Sequence, residues 1–237
     1  MLMKKCKWFQ FKGVTCYLQG KMFTFPEESN TAHVRLTTSK QGFNAVTHEC
    51  LELKQNSSCL LPQCRFLTDL SREFTFFSLS VPSFYNGVIF KNEVGSFQMC
   101  VNGKQAYFRG LDFKLNKWQS LCGTWEAASG LTQLWLNGQP SSRRLSSKSN
   151  ISGPITITLG QYPEPYRGGF FNGIQFVGMM SDLHMWDSKL PPCEIQKYMN
   201  QGGFTTGNVL DWSSLEFEIT GTVLIENKLE TCQSSLL

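Results

Sequence analysis

One strand in this chain is obliged to reverse on itself, and that obligation narrows the fold more than any other feature. Leu131 to Leu136 reads LTQLWL and runs directly into Asn137-Gly138. Both turn positions of that dipeptide favour positive φ, so an antiparallel hairpin closes there. The same grammar recurs downstream. Ile155 to Leu159 alternates apolar and hydroxyl residues and stops at Gly160, as a half-buried strand does. Leu215, Phe217 and Ile219 alternate with Glu216, Glu218 and Thr220, which sends one face to a core and the other to water. Thr222 to Ile225 follows Gly221 as the next strand. A single segment departs from this pattern. Pro191 and Pro192 precede Glu194, Ile195, Tyr198 and Met199 at helical spacing, and Gly202-Gly203 supplies a stop. Many strands with one short, late helix predict an all-β protein, a two-sheet antiparallel jelly-roll sandwich.

Composition supports a sandwich filled by rings. Aromatic residues make up 13% of the 237 positions, with 19 Phe, while charged residues are only 17%, a balance suited to one large β domain. The net charge of +4 is carried by scattered lysines and arginines, which is no nucleic-acid footprint. Nine cysteines without CxxC spacing argue against zinc or thioredoxin-like chemistry and for disulfides in an oxidising compartment. The sequons at Asn56 and Asn150 are compatible with it. Residues 1–20 read as an N-terminal extension, basic but without the apolar core of a signal peptide. No apolar run approaches the roughly 20 residues of a membrane span. The stretch 42–61, with Cys50 and Cys59, follows neither strand nor helix periodicity and reads as an inserted loop, and 231–237 reads as a tail.

Residues 120–127 are SLCGTWEA. They resemble the pentraxin signature His-x-Cys-x-Ser/Thr-Trp-x-Ser/Thr at Cys122, Thr124 and Trp125, and depart from it at Ser120 and Ala127. The resemblance continues in order through SGLTQLWLNGQP, ITLGQ, GGFFNG, FVG, HMWDSKLPP and NVLDW. On these residues the chain is identified as a member of the short pentraxin family, with a domain over 21–230. Membership implies a flattened jelly roll with one helix on a face, joined into a non-covalent cyclic pentamer. It implies a secreted, non-enzymatic pattern-recognition protein with lectin-like binding, acting in innate immunity and the acute phase. The implied partners are polyanionic, saccharide or phospholipid head-group ligands, and complement or Fc-receptor-like proteins. It also implies a disulfide between Cys64 and Cys122, which would stabilise the fold by about 4 kcal/mol in the chain-entropy account.

Pentraxins bind ligands through two calcium ions, and the resemblance carries that set over in depleted form. Asn86 keeps the amide of an Asp-Asn pair whose acid is replaced by Tyr85. In the loop after the Leu-Gly-Gln strand end, Tyr162 stands where the family has Glu, Pro163 where a backbone carbonyl serves, and Glu164 where it has Asp. Asn172 replaces another acid and Gln175 matches the family's Gln. Calcium takes six to eight oxygens with carboxylates supplying most of the charge, so a set with Glu164 as its only acid predicts weak or absent binding. Phe90 matches the aromatic wall of the phosphocholine pocket, and Gln105 stands where the acid facing choline belongs. Two other classes compete. Glu216 and Glu218 have the spacing of a glycosidase-like carboxylate pair, but their alternation with Leu215, Phe217 and Ile219 predicts a solvated outer face. A laminin-G-like, calcium-independent interaction module shares the sandwich, although HMWDSKLPP followed by a helix favours the pentraxin. His33, His48 and His184 show no catalytic spacing, and His184 is expected to point away from the core.

Overall fold

The structure, a computed structural model, describes residues 20–27, 31–37, 58–164, 169–200 and 203–227. The first half carries β1 (Lys21–Phe25), β2 (His33–Thr37), β3 (Ser58–Leu67), β4 (Phe74–Val81), β5 (Phe84–Glu93), β6 (Ser96–Val101) and β7 (Lys104–Arg109). Then come β8 (Gln119–Glu126), β9 (Leu131–Leu136), β10 (Gln139–Pro140), β11 (Arg144–Leu145), β12 (Thr156–Leu159) and β13 (Gly178–Trp186). Helix α1 (Pro192–Met199) precedes β14 (Leu210–Asp211), a 3-10 turn at Trp212–Ser214, β15 (Glu216–Thr220) and β16 (Leu224–Asn227). They form two antiparallel sheets. One runs β10-β9-β8-β3-β13-β1-β16, with β11 on β9 and β14 on β13, and the other runs β15-β2-β12-β4-β5-β6-β7.

Phenylalanines fill the space between the sheets. Phe66 of β3 stacks on Phe76 of β4 at 5.4 Å and meets Phe74 edge-on at 6.4 Å. Phe176 reaches Phe74 at 5.5 Å, and Phe90 of β5 lies 5.8 Å from Phe76. Such pairs add about 0.5–1.5 kcal/mol each beyond the area they bury. The β9 hairpin turns where its sequence requires, with φ of 50° at Asn137 and 80° at Gly138.

A second, smaller core lies on the outer face of the nine-stranded sheet. Proline at the first position and Glu194 in the first turn start α1. Ile195, Tyr198 and Met199 then bury one stripe against Cys122, Trp135 and Trp186. Arg65 ties the helix to the sheet by donating to the Tyr198 carbonyl at 3.2 Å and facing Asp182 at 3.8 Å. His184 does point away from the inter-sheet core, yet it is buried. Phe204 covers it at 5.1 Å and Asp211 faces it at 3.6 Å.

Two sequence expectations shift. The last strand is Leu224–Asn227 rather than Thr222–Ile225, because Gly221 at φ 73° opens a turn and Val223 drops into the core before pairing with β1 begins. The expected loop 42–61 ends inside β3, since Ser58, Cys59 and Leu60 pair with Glu126, Trp125 and Thr124 of β8. Residues 42–57, like the extension 1–19 and the tail beyond 227, lie outside the described residues.

Gly123 is the tightest test of this packing. A Cβ there would meet Phe90 Cζ at 2.2 Å and Cε1 at 2.6 Å. Gly123→Ala should therefore cost about 1–3 kcal/mol through overpacking, read from the denaturation midpoint at constant slope, and Phe90→Leu in the same chain should recover part of it. An unchanged midpoint would mean that β8 and β5 are further apart than described.

Candidate functional site

Alternation along three neighbouring strands decides what reaches the outer face of the seven-stranded sheet. Val88 and Phe90 of β5, Phe97, Met99 and Val101 of β6, and Ala106 and Phe108 of β7 turn into the inter-sheet core. Their neighbours consequently turn outward, and the register sets them in rows: Ile89 beside Cys100 beside Gln105, and Lys91 beside Gln98 beside Tyr107. The Tyr107 hydroxyl donates to Gln105 Oε1. At the head of β5, the Ser80 hydroxyl donates to the Tyr85 carbonyl, and the Cys100 thiol lies 3.9 Å from the Asn86 carbonyl.

The described residues after β12, 160–164 and 169–175, meet this face and are fixed at both ends. Gly160 holds φ 87° where a Cβ would approach Phe25 Cε1 to 2.8 Å, a position only glycine fills without strain. Gln161 then donates its amide to the Ala32 carbonyl at 3.2 Å. Phe170 packs on His33 at 4.5 Å, and burial lowers the pKa of that imidazole. The far end is fixed by Thr75 N donating to the Ile174 carbonyl at 2.7 Å and by Arg72 donating to the Gly173 carbonyl at 2.7 Å.

Tyr162 is the centre of the arrangement. Phe171 N donates to its carbonyl at 3.0 Å, the two rings meet edge-on at 5.3 Å, and the Asn86 side chain hydrogen-bonds its phenol. Burial, reinforced by the neighbouring Cys100 and Tyr85, pushes the phenol up to about 12 against the opposing pull of the Asn86 bond. At any physiological pH the group is neutral.

The expected calcium set separates into parts on this frame. Asn86 meets the segment that carries Pro163 and Glu164, where Pro163 bridges to Phe170 and Glu164 N donates to the Gly169 carbonyl at 2.8 Å. Asn172 is exposed beside Phe171. Gln175 does not join them: it is buried and bridges Thr75 at the opposite end of β4, about 16 Å along the strand from Ser80 at 3.3 Å per residue. Around Asn86 the donors are an amide already bonded to a neutral phenol, with Glu93 acting on that phenol and Glu164 two residues along from it. Among the described residues no three His, Cys, Asp or Glu side chains cluster as a metal site. A hard cation that needs several anionic oxygens does not fit these residues.

The two expected ligand contacts part company as well. Gln105 stands exposed on the outer face, but Phe90 is 1% exposed and belongs to the inter-sheet core, because β5 alternation turns it inward. It cannot wall a surface pocket. Glu216 and Glu218 are exposed on the outer side of edge strand β15. A cavity of about 300 Å³ lies elsewhere, between Leu70, Val94, Phe97 and Phe113.

Cys64 and Cys122 are neighbours across β3 and β8 but not opposite one another, since Cys64 faces Leu121 and Cys122 faces Gln63. Seating Phe66 in the inter-sheet core seats Cys64 there too, whereas Cys122 enters the core beneath α1. The two sulfurs interact all the same: Cys122 is, after burial, the next group acting on Cys64, and both raise its pKa.

The sequence model of the pentaxin family matches residues 21–227. The chain is a pentraxin. Serum amyloid P-component of Mus musculus is 34% identical over 214 residues, covering 90% of this chain and 89% of the relative. C-reactive protein of Sus scrofa is 32% identical over 212 residues, covering 89% and 88%. The heptameric SAP-like pentraxin from Limulus polyphemus shares the fold at a TM-score of 0.73 and 20% identity, over 88% of this chain and 95% of that one. Within this pentraxin the residues of this face that the sequence did not single out are Tyr107 and Phe171. The strand alternation of β7 and the aromatic density of the segment from Tyr162 to Phe171 were the signals available.

Cys64 and Cys122 sit in adjacent pairs of β3 and β8, so peptide mapping without reduction should recover the linked peptide that the family resemblance implies. Alkylation of either thiol in the folded or unfolded protein without reductant would contradict the pairing.

Proposed function

We propose that this pentraxin is a non-catalytic, extracellular recognition protein that binds its ligands on the outer face of the seven-stranded sheet, beneath the segment from Gly160 to Gln175. The observation that carries the reading is that Tyr85, Asn86 and Cys100 all act on the Tyr162 phenol, with Gln105 opposite Cys100 on the next strand. A rigid sheet presenting polar and aromatic groups under a loop anchored at both ends is a preorganised surface for contact. Bond-breaking chemistry is not the reading that fits it: the carboxylate pair Glu216 and Glu218 lies in solvent on an exposed edge strand.

Binding on this face proceeds without resident calcium, because a neutral phenol held by Asn86 stands among the donors that calcium would need. Family membership supports assembly of identical protomers into a closed ring, the fivefold ring of short pentraxins being the first expectation, as well as release from the cell. No helix among the described residues is long and apolar enough to cross a membrane. The ligands proposed for the class are saccharide, polyanionic or phospholipid head groups, with complement or Fc-receptor-like proteins as further partners. A ring turns weak single-face binding into avidity, because each further contact is intramolecular.

The reading is tested by light scattering together with binding to surfaces coated with polysaccharide, heparin or phosphocholine. The assembly mass should be a whole multiple of the 26.9 kDa protomer. Splitting the ring should weaken surface binding about 10²- to 10⁴-fold, and Asn86→Ala should weaken it in every protomer. A 26.9 kDa species at micromolar concentration would contradict the ring, and binding indifferent to Asn86→Ala would move the ligand off this face.

A further inference from the structure

Of the two sequons, Asn150-Ile151-Ser152 lies within the described residues, in the connection between β11 and β12. The fold divides its three residues between core and solvent. Ile151 is 0% exposed and belongs to the inter-sheet core, while Asn150 and Ser152 are both exposed. The buried middle residue thus anchors the segment, and its neighbours offer water the amide and the hydroxyl that an N-glycan acceptor requires.

What the fold does with its asparagines sets Asn150 apart. Asn92 donates its side-chain amide to the Arg72 carbonyl at 3.1 Å, and Asn102 to the Ser149 carbonyl at 2.7 Å. Asn137 donates to Gln119 Oε1 and Asn208 to Asp187 Oδ1, each at 2.7 Å. Asn150 contributes its main-chain carbonyl, which accepts from Asn102 Nδ2 at 3.2 Å, and among the described residues no hydrogen bond engages its side-chain amide. A substituent on that nitrogen therefore costs the fold no bond. The surroundings leave room for one. Asn102 opens the β6–β7 turn, its N donating to the Gly87 carbonyl at 2.8 Å. Gly153, at φ 106°, turns the chain where a Cβ would stand 3.5 Å from Pro82 in the β4–β5 turn. Both turns lie at one end of the sandwich, and Asn150 stands there with them.

We infer that Asn150 carries an N-linked oligosaccharide, and that this end of the sandwich, between Pro82 and Asn102, stays in solvent when protomers assemble. The inference rests on the proposed release from the cell, because the sugar donor is a lipid-diphosphate-linked oligosaccharide of the secretory route. In the transfer a bond forms between Asn150 Nδ2 and the anomeric carbon. The bond from that carbon to the diphosphate oxygen breaks, the lipid diphosphate leaves with the electron pair, and the amide gives up one proton. The attached sugar is bulky and solvating, so no neighbouring protomer can be seated over it.

The test is glycopeptide mapping of the full chain made in a eukaryotic cell, both as it stands and behind a cleavable secretory leader. In the form with the leader, tryptic peptide 149–167 should be recovered free of sugar only after peptide N-glycosidase in heavy-oxygen water, with Asn150 converted to a labelled Asp; Asn56 falls in a separate peptide, 55–65. The sugar at this position should be lost in Ser152→Ala and kept in Ser152→Thr, and the enzyme should remove it from the folded assembly. Unmodified peptide 149–167 from the secreted protein, or a gel shift unchanged in Asn150→Gln, would overturn the assignment. Sugar released only after unfolding would overturn the solvent-facing end. If the form with the leader is glycosylated at Asn150 but the other remains in the cell without sugar, the acceptor site stands and the extracellular reading falls.

Discussion

Two amphipathic sheets face each other only if the gap between them is filled, and in this protein rings fill it. Phe66, Phe74, Phe76, Phe90 and Phe176 lock the seven-stranded sheet to β3 and to the segment before β13. Everything that reaches a surface follows from which residues this cluster claims. With Phe90 inside, Ile89 and Lys91 must face out; with Phe66 inside, Cys64 must face in. A period of two leaves no other choice. The site on the outer face is therefore a by-product of core packing.

The same logic accounts for the covering segment. Its ends are held by main-chain hydrogen bonds and by Gln161, groups tied to β2 and β4 of the sheet beneath. Its middle is held by Phe170 on His33 and by Tyr162 against Asn86 and Phe171. A loop fixed in this way loses little entropy when a ligand arrives. What it presents is aromatic and amide chemistry, which favours weak, repeated contacts of the kind that a ring multiplies.

Much of the architecture was legible in the residues. The Asn137-Gly138 reversal, the alternation of Leu215, Phe217 and Ile219, and the helix after Pro191-Pro192 each state a local geometry, and each element forms. Features that depend on register were not legible. Phe90 and Gln105 were both assigned to a ligand pocket, yet one is core and the other surface, because a linear comparison does not say which face a strand position occupies. Gln175 falls at the far end of β4 because the path of the loop cannot be counted along the chain. His184 points the way its neighbours dictate, but its burial comes from Phe204 and α1, distant in sequence.

The central proposal is that the neutral Tyr162, bonded to Asn86, stands where a calcium ion would need an anionic oxygen. Calorimetric titration of calcium into chelator-stripped protein addresses it most directly. The account predicts no saturable heat up to millimolar calcium and no change when Glu164→Gln is titrated alongside. Saturable heat in the micromolar to millimolar range that disappears in Glu164→Gln would show that the site still assembles around calcium, and would contradict the account.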